Sequence, residues 1–274
     1  MLRFRIGNLP MTLVLFLVII LPLAGCAQMQ MGSPKAKTTA TGAAGGATAE
    51  NVNPNLERCN SPLGTMALVE DTTAPWYYIL SRQYQLGSTT PVLKLLAQQS
   101  NCFVVVERGR AMDNMMQERG LQDSGELRQG SNFQKGQMVA ADYALSPSIT
   151  FSDQNAGGIG AAVGGLFGTV GSVLGGSLKY KEASTLLTLV DNRSGVQLAA
   201  AEGSARNVDM GALGGLLYSG VGLGGSGYAS TAQGKVIVAA FTDSFNNLVR
   251  ATRNYQQQVI KGGLGTGGNL KVQE

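Results

Sequence analysis

Cys26, Cys59 and Cys102 are the side chains with the most reactive potential in this chain, because histidine is absent from all 274 residues. Without imidazole there is no Ser-His-Asp or Cys-His triad, no histidine proton relay and no histidine-containing zinc site. Neither a metal nor a cofactor is expected. The remaining acids, such as Asp142, Asp191, Asp209 and Asp243, show no paired spacing and read as turn, cap or surface residues, so no catalytic residue and no enzyme activity is expected. Gly222 to Gly227 matches G-x-G-x-x-G but follows no clear strand of a βαβ unit, and no G-x-x-x-x-G-K-[ST] is present, which argues against dinucleotide or nucleotide binding.

Cys26 stands behind an export signal. Arg3 and Arg5 precede an apolar run from Met11 to Leu21, too short for a bilayer span of about 20 residues, and cleavage is expected. Leu23-Ala24-Gly25-Cys26 resembles the bacterial lipobox, which implies that Cys26 becomes the lipidated first residue of a lipoprotein. Ala27, rather than Asp, after that Cys implies sorting to the outer membrane. Removing residues 1–25 takes away two arginines and no acid, so the formal charge falls from +4 to +2. No basic stripe with interleaved aromatics remains to bind nucleic acid. Cys59 and Cys102 form an even pair in an exported chain, where a disulfide is the natural expectation and two buried free thiols the alternative.

The elements that would carry these residues follow from local pattern. Residues 26–60 lack hydrophobic periodicity, are rich in Gly, Ala, Ser and Thr, and read as lipid anchor and flexible tether. The domain is expected over 61–253, opening with the apolar strand Thr65 to Val69. An irregular stretch with Trp76, Tyr77, Tyr78 and Tyr84 follows, then a helix from Val92 to Ser100 whose apolar face is Val92, Leu93, Leu96 and Ala97. Phe103 to Val106 reads as a strand buried on both faces, which completes a parallel βαβ unit and puts both thiols at the same end of neighbouring strands. Arg110 to Arg119 is expected as a helix whose Met112, Met115 and Met116 serve as core or subunit interface. A half-buried strand from Tyr143 follows, with Pro147 arguing for an edge or bulge. Thr185 to Val190 and Val196 to Ala201 form a hairpin around Asp191 to Gly195. The last helix starts with the capping-box pattern Ser230 to Gln233 and carries Ile237, Phe241, Phe245 and Leu248 on one stripe. Residues 254–274 read as a mobile tail.

Two segments break this α/β pattern. Between Asp153 and Lys179, and again between Asp209 and Lys235, lie 25 uncharged residues with nine glycines each. Two membrane strands of about 9–11 residues with a tight turn need roughly that length, so 153–180 and 209–234 are each expected as one β-hairpin. Leu166, Val170, Leu174 and Leu178 share one parity and are the candidate membrane face. A lone hairpin leaves its edges unpaired in lipid, so hairpins from several copies would have to close one barrel. Gly160, Gly164, Gly168, Ser172 and Gly176 also fit a helix-packing stripe, and a membrane helix or a plain mobile loop are the alternatives.

With these features in order, the chain resembles the CsgG/HfaB family of outer-membrane lipoproteins over about residues 61–253. The residues that carry the resemblance are Cys102 to Arg108, Met116-Gln117-Glu118-Arg119, Ala141 to Ile149 and Thr188 to Gly195. It implies a periplasmic βαβ-type α/β sandwich that assembles into a homo-oligomer ring. Each copy would add two glycine-rich membrane-spanning β-hairpins to an oligomeric β-barrel. Such a pore exports unfolded curli-like amyloid subunits, with accessory assembly proteins as partners. In the family, the loop after the first strand lines the pore constriction, which makes Tyr77, Tyr78, Tyr84 and Gln85 the candidates here. The alternative is a non-conducting periplasmic adaptor, tethered through Cys26, that binds an envelope or surface-anchoring partner.

Overall fold

The computed structural model describes residues 42–44, 46, 48–49, 52–131, 133–151, 182–206, 228, 231–260 and 263–265. Cys26, Asp209, the candidate membrane face and both expected hairpins, except for Tyr228 and residues 231–234, lie outside the described residues, as does most of the expected tether. The elements run β1 (Gly64–Leu68), α1 (Pro75–Arg82), α2 (Thr90–Ser100), β2 (Phe103–Val105), α3 (Arg110–Asp123), β3 (Tyr143–Phe151), β4 (Glu182–Asp191), β5 (Gln197–Arg206) and α4 (Ala232–Arg253). They form a mixed α/β fold around one five-stranded sheet, ordered β2-β1-β3-β4-β5.

β1 pairs in parallel with β2 on one side and with β3 on the other, the first through the βαβ crossover of α2. β3, β4 and β5 then continue as an antiparallel meander. Period-two alternation decides which face is covered, since successive strand side chains point to opposite sides. Leu145 and Ile149 of β3, Ala183, Leu187 and Leu189 of β4, and Ala199, Ala201 and Ala205 of β5 are buried. α4 supplies the cover through Ile237, Phe241, Phe245 and Leu248, all fully buried, as its apolar stripe requires. Leu186, Glu202 and Ser204 on the opposite face are exposed. Gly203 of β5 allows the helix to approach closely: a Cβ there would lie 2.1 Å from the Ser244 nitrogen and 2.5 Å from the Ala240 carbonyl oxygen.

Several expectations are corrected. The aromatic stretch after β1 is helical, because Pro75 sits in the first turn, where its missing N–H costs nothing, and Leu80 is buried beneath it. β2 is an edge strand with only Phe103 buried, so a β-branched run did not mean cover on both faces. α3 buries no residue in this chain, and Met115 and Met116 are exposed, which removes them from the core. Pro147 is paired with Leu187 in central β3, but β1 pairs only as far as Leu145, so the other flank of Pro147 has no β1 partner. The α4 cap falls one residue later than expected, with the Thr231 hydroxyl accepting from the Gly234 N–H at 2.9 Å. Gly234 accordingly belongs to the helix and not to a hairpin.

The end of the expected tether also packs on the domain. Leu56 joins the core at 5% exposure, and Glu57 pairs with Arg250, at 2.9 Å, and with Arg253. The Glu57 N–H donates to Asn246 Oδ1 at 2.8 Å, and Asn246 donates back to the Asn55 carbonyl at 2.7 Å. A short strap therefore clasps the last turns of α4.

Candidate functional site

The two ends of the sheet are chemically different. At one end β3 stops at Phe151 opposite Ala183, and β5 stops at Arg206 opposite Glu182, at the start of β4. The strands that precede the two glycine-rich segments, β3 and β5, thus end on either side of the start of β4. α4 runs antiparallel to β5, since Asn247 donates to the Glu202 carbonyl at 2.8 Å while Asp243 accepts from the Ser204 N–H at 3.1 Å. Its capped N-terminus, where the second segment returns, faces this same end. β1 also delivers its chain here, and α1 follows immediately.

α1 is held from several sides. Upstream, Asp71 accepts from the Thr73 N–H at 2.9 Å and from its hydroxyl at 2.6 Å, an Asx turn that leads into Pro75 and holds the Asp71 carboxyl below its usual range. Downstream, Glu70 accepts from the Ser88 hydroxyl at 2.5 Å, the Thr89 N–H at 2.7 Å and the Thr89 hydroxyl at 2.6 Å. One carboxylate therefore closes the segment from 71 to 87 into a loop and serves the N-terminus of α2, where negative charge is favoured. Between them Gln85 has φ 53°, the left-handed region that a non-glycine residue occupies at a cost. Its side chain donates to the Arg82 carbonyl at 2.7 Å, and the Leu86 N–H donates to the Leu80 carbonyl at 3.1 Å.

The four aromatic and amide candidates do not behave alike. Tyr78 is 66% exposed and Gln85 is exposed, so these two face outward from the segment. Tyr77 is half-buried and meets Trp76 edge-on at 5.6 Å. Tyr84 is half-buried with its ring 5.0 Å from that of Phe151, the last residue of β3. The pattern of rings in the sequence could not separate the outward pair from the packed pair, because α1 was not foreseen.

Two residues at this end escaped sequence reasoning. Glu70 carries no motif. Tyr228 lay within a glycine-saturated tract, yet it is fully buried and its hydroxyl donates to the Gly87 carbonyl at 2.7 Å. Burial, with the charge of Glu70 as the next contributor, pushes its phenol well above the ordinary tyrosine range.

The opposite end is a fastening. Cys59 and Cys102 are joined by a disulfide with Cα atoms 4.9 Å apart. The Cys59 N–H donates to the Ser100 carbonyl at 3.0 Å, and its own carbonyl accepts from Asn101 Nδ2 at 2.9 Å. Asp142 is also occupied there: Thr65 N–H donates to it at 2.9 Å, Arg193 pairs with it at 2.6 Å, and these partners lower its carboxyl below the usual range. Asp191 organises the β4–β5 turn by accepting from Ser194 Oγ at 2.6 Å and from the Arg193 and Ser194 N–H groups. Among the described residues no cluster of three potential metal ligands occurs, and no helix is long and apolar enough to cross a membrane.

Comparison with known proteins gives one family. The family model described as the curli production assembly/transport component CsgG matches residues 52–261, a span that begins with the strap and ends beyond α4. No curated protein matches the chain. Solved structures that resemble it include the crystal structure of lipoprotein GNA1162 from Neisseria meningitidis, 18% identical, with a TM-score of 0.23 over 57% of this chain and 93% of that one.

Proposed function

The chain belongs to the CsgG family, and from that premise we propose that it is an outer-membrane lipoprotein whose copies form a ring-shaped channel for unfolded protein subunits. One observation carries this reading: α1 and the roots of both glycine-rich segments converge on a single end of the sheet. If each segment is a membrane hairpin, every copy adds strands to a common barrel and presents α1 directly beneath its mouth. A barrel closed by several copies leaves no strand edge in lipid, which no single copy can achieve. Lipidation at Cys26 would hold the domain on the periplasmic side.

The mechanism needs no catalytic group. Tyr78 and Gln85 face outward from the α1 segment and are the residues we assign to the narrowest point. An aromatic ring and an amide there offer weak, sequence-tolerant contacts to an extended chain. Rings repeated around the axis would exclude a folded domain by size alone. Transport is then passive, driven by the state of the chain on either side. Accessory proteins would deliver or receive it.

The test is the mature lipidated protein, extracted in mild detergent, imaged by negative stain and reconstituted in a planar bilayer. Rings with a central stain-filled pore and discrete conductance steps support the channel. Single copies or small assemblies without a pore reject it and leave a tethered adaptor. Thiol labelling of cysteines placed singly from Leu166 to Tyr180 adds the membrane geometry. Lipid protection alternating every second residue supports hairpins, and a period near 3.6 supports a membrane helix.

A further inference from the structure

Two contacts tie the α1 segment to the roots of the glycine-rich segments, and a third group of bonds closes the segment on itself. The Tyr84 ring packs, tilted by 32°, against that of Phe151, the residue from which the first segment continues. The Tyr228 hydroxyl, near the return of the second segment, donates to the Gly87 carbonyl across 141 positions of sequence. Glu70 pins Ser88 and Thr89, the residues just after Gly87. Tyr228 is itself fixed from below: a Cβ at Gly234 would lie 2.5 Å from its Cα, so the first turn of α4 closes directly on its backbone. Between these anchors sits Gln85 in its left-handed conformation, which persists only where the surroundings enforce it.

We propose that Tyr228 is a positioning residue for the α1 segment, holding Tyr78 and Gln85 at a fixed reach by fastening Gly87 to the root of the second glycine-rich segment. This deepens the channel reading and rests on it. The carbonyl of Gly87 lies two residues beyond Gln85, past buried Leu86, so releasing it frees the turn that supports the outward amide. The ring of Tyr228 fills the core at 0% exposure while its hydroxyl does the fastening, so the two roles separate by substitution. Tyr228→Phe keeps the ring and removes the donor. The Gly87 carbonyl then loses its buried partner, and the segment opens more often.

The experiment uses the full lipidated chain. Tyr228→Phe is expected to assemble into the same rings as the parent, with amide exchange at residues 85–89 faster by about tenfold and α4 exchange unchanged. In the bilayer it is expected to broaden the parent conductance into several levels. Placed on Tyr78→Ala, which widens the pore by itself, it should add less than it does alone, because the residue whose reach it controls is gone. Parent-like exchange at 85–89 in Tyr228→Phe would overturn the inference whether or not the rings conduct. Parent-like conductance levels with a responsive Tyr78→Ala would overturn it while leaving the channel standing. Parent rings without conductance would instead reject the channel reading, and exchange alone would then judge the fastening.

Discussion

Replacing Gly203 by alanine should destabilise the domain, although alanine is intrinsically the better strand residue by roughly 0.5–1 kcal/mol. The added methyl would stand 2.1 Å from the Ser244 nitrogen and 2.7 Å from its Cα, so ordinary contact at about 3.4 Å requires a retreat of about 1.3 Å. The obstructing atoms are backbone in mid-helix, and no rotamer change moves them. Either α4 withdraws or β5 bends. Withdrawal stretches the Thr185–Ser244 hydroxyl bond, now 2.9 Å and fully buried, together with the Asp243 and Asn247 links to β5. Overpacking of a dense core costs about 1–3 kcal/mol, so after the intrinsic gain a net loss of up to about 2.5 kcal/mol remains. For a domain of this size that is a fall of up to about 10 °C in melting temperature, read by circular dichroism on the domain with its disulfide intact. A paired control is Gly120→Ala in exposed α3, where the new methyl meets nothing within 4 Å and helix propensity predicts a gain of up to about 1 kcal/mol. A melting temperature for Gly203→Ala equal to or above the parent would refute the close approach of α4 to β5.

Further predictions concern the other end of the sheet. Breaking the Cys59–Cys102 bridge, which spans 43 positions, should remove about 4 kcal/mol by chain entropy, seen as a lower urea midpoint for the double serine variant; an unchanged midpoint would deny that the bridge contributes to stability. The Glu57 carboxyl is lowered from 4.5, first by the Arg250 hydrogen bond and against a desolvation penalty. Its contribution is therefore complete above pH 4.5 and is lost as pH falls through the lower folded value. Exchange of the amides of residues 55–59, corrected for intrinsic rates, should accelerate as the pH is taken down from 4.5 through the lower folded value, and Glu57→Gln should abolish that dependence. Thr231→Ala removes the hydroxyl that caps α4 and should cost about 1 kcal/mol in the same melting assay; no loss would mean that the cap is made by other groups.

Much of this protein follows from residue pattern alone. The fully buried α2 face of Val92, Leu93, Leu96 and Ala97 was legible because a helix repeats every 3.6 residues. The α4 stripe was legible on the same ground, and the β4–β5 turn because Asp191 and Gly195 have turn chemistry, with Gly195 at φ 71°. The parallel pairing of β1 with β2 followed from strand, helix, strand order, which leaves few alternatives. The lipobox-like run Leu23-Ala24-Gly25-Cys26 and the equal glycine content of the two long segments are likewise properties of the linear chain.

What the tertiary structure decided is every relation set by partners distant in sequence. Apolar content did not reveal that β2 is an edge, because cover depends on what lies alongside. The three methionines of α3 looked like core by their spacing, and only the surroundings show that this chain does not bury them. Tyr78 and Tyr84 are alike as residues, and it is Phe151 that draws one inward while the other stays exposed. Glu70 and Tyr228 gain their roles from partners 18 to 141 positions away, and local pattern carries no trace of such distances. The convergence of α1 with both segment roots is of this kind: strand direction and register bring them to one end, and those are fixed only when the whole sheet is assembled.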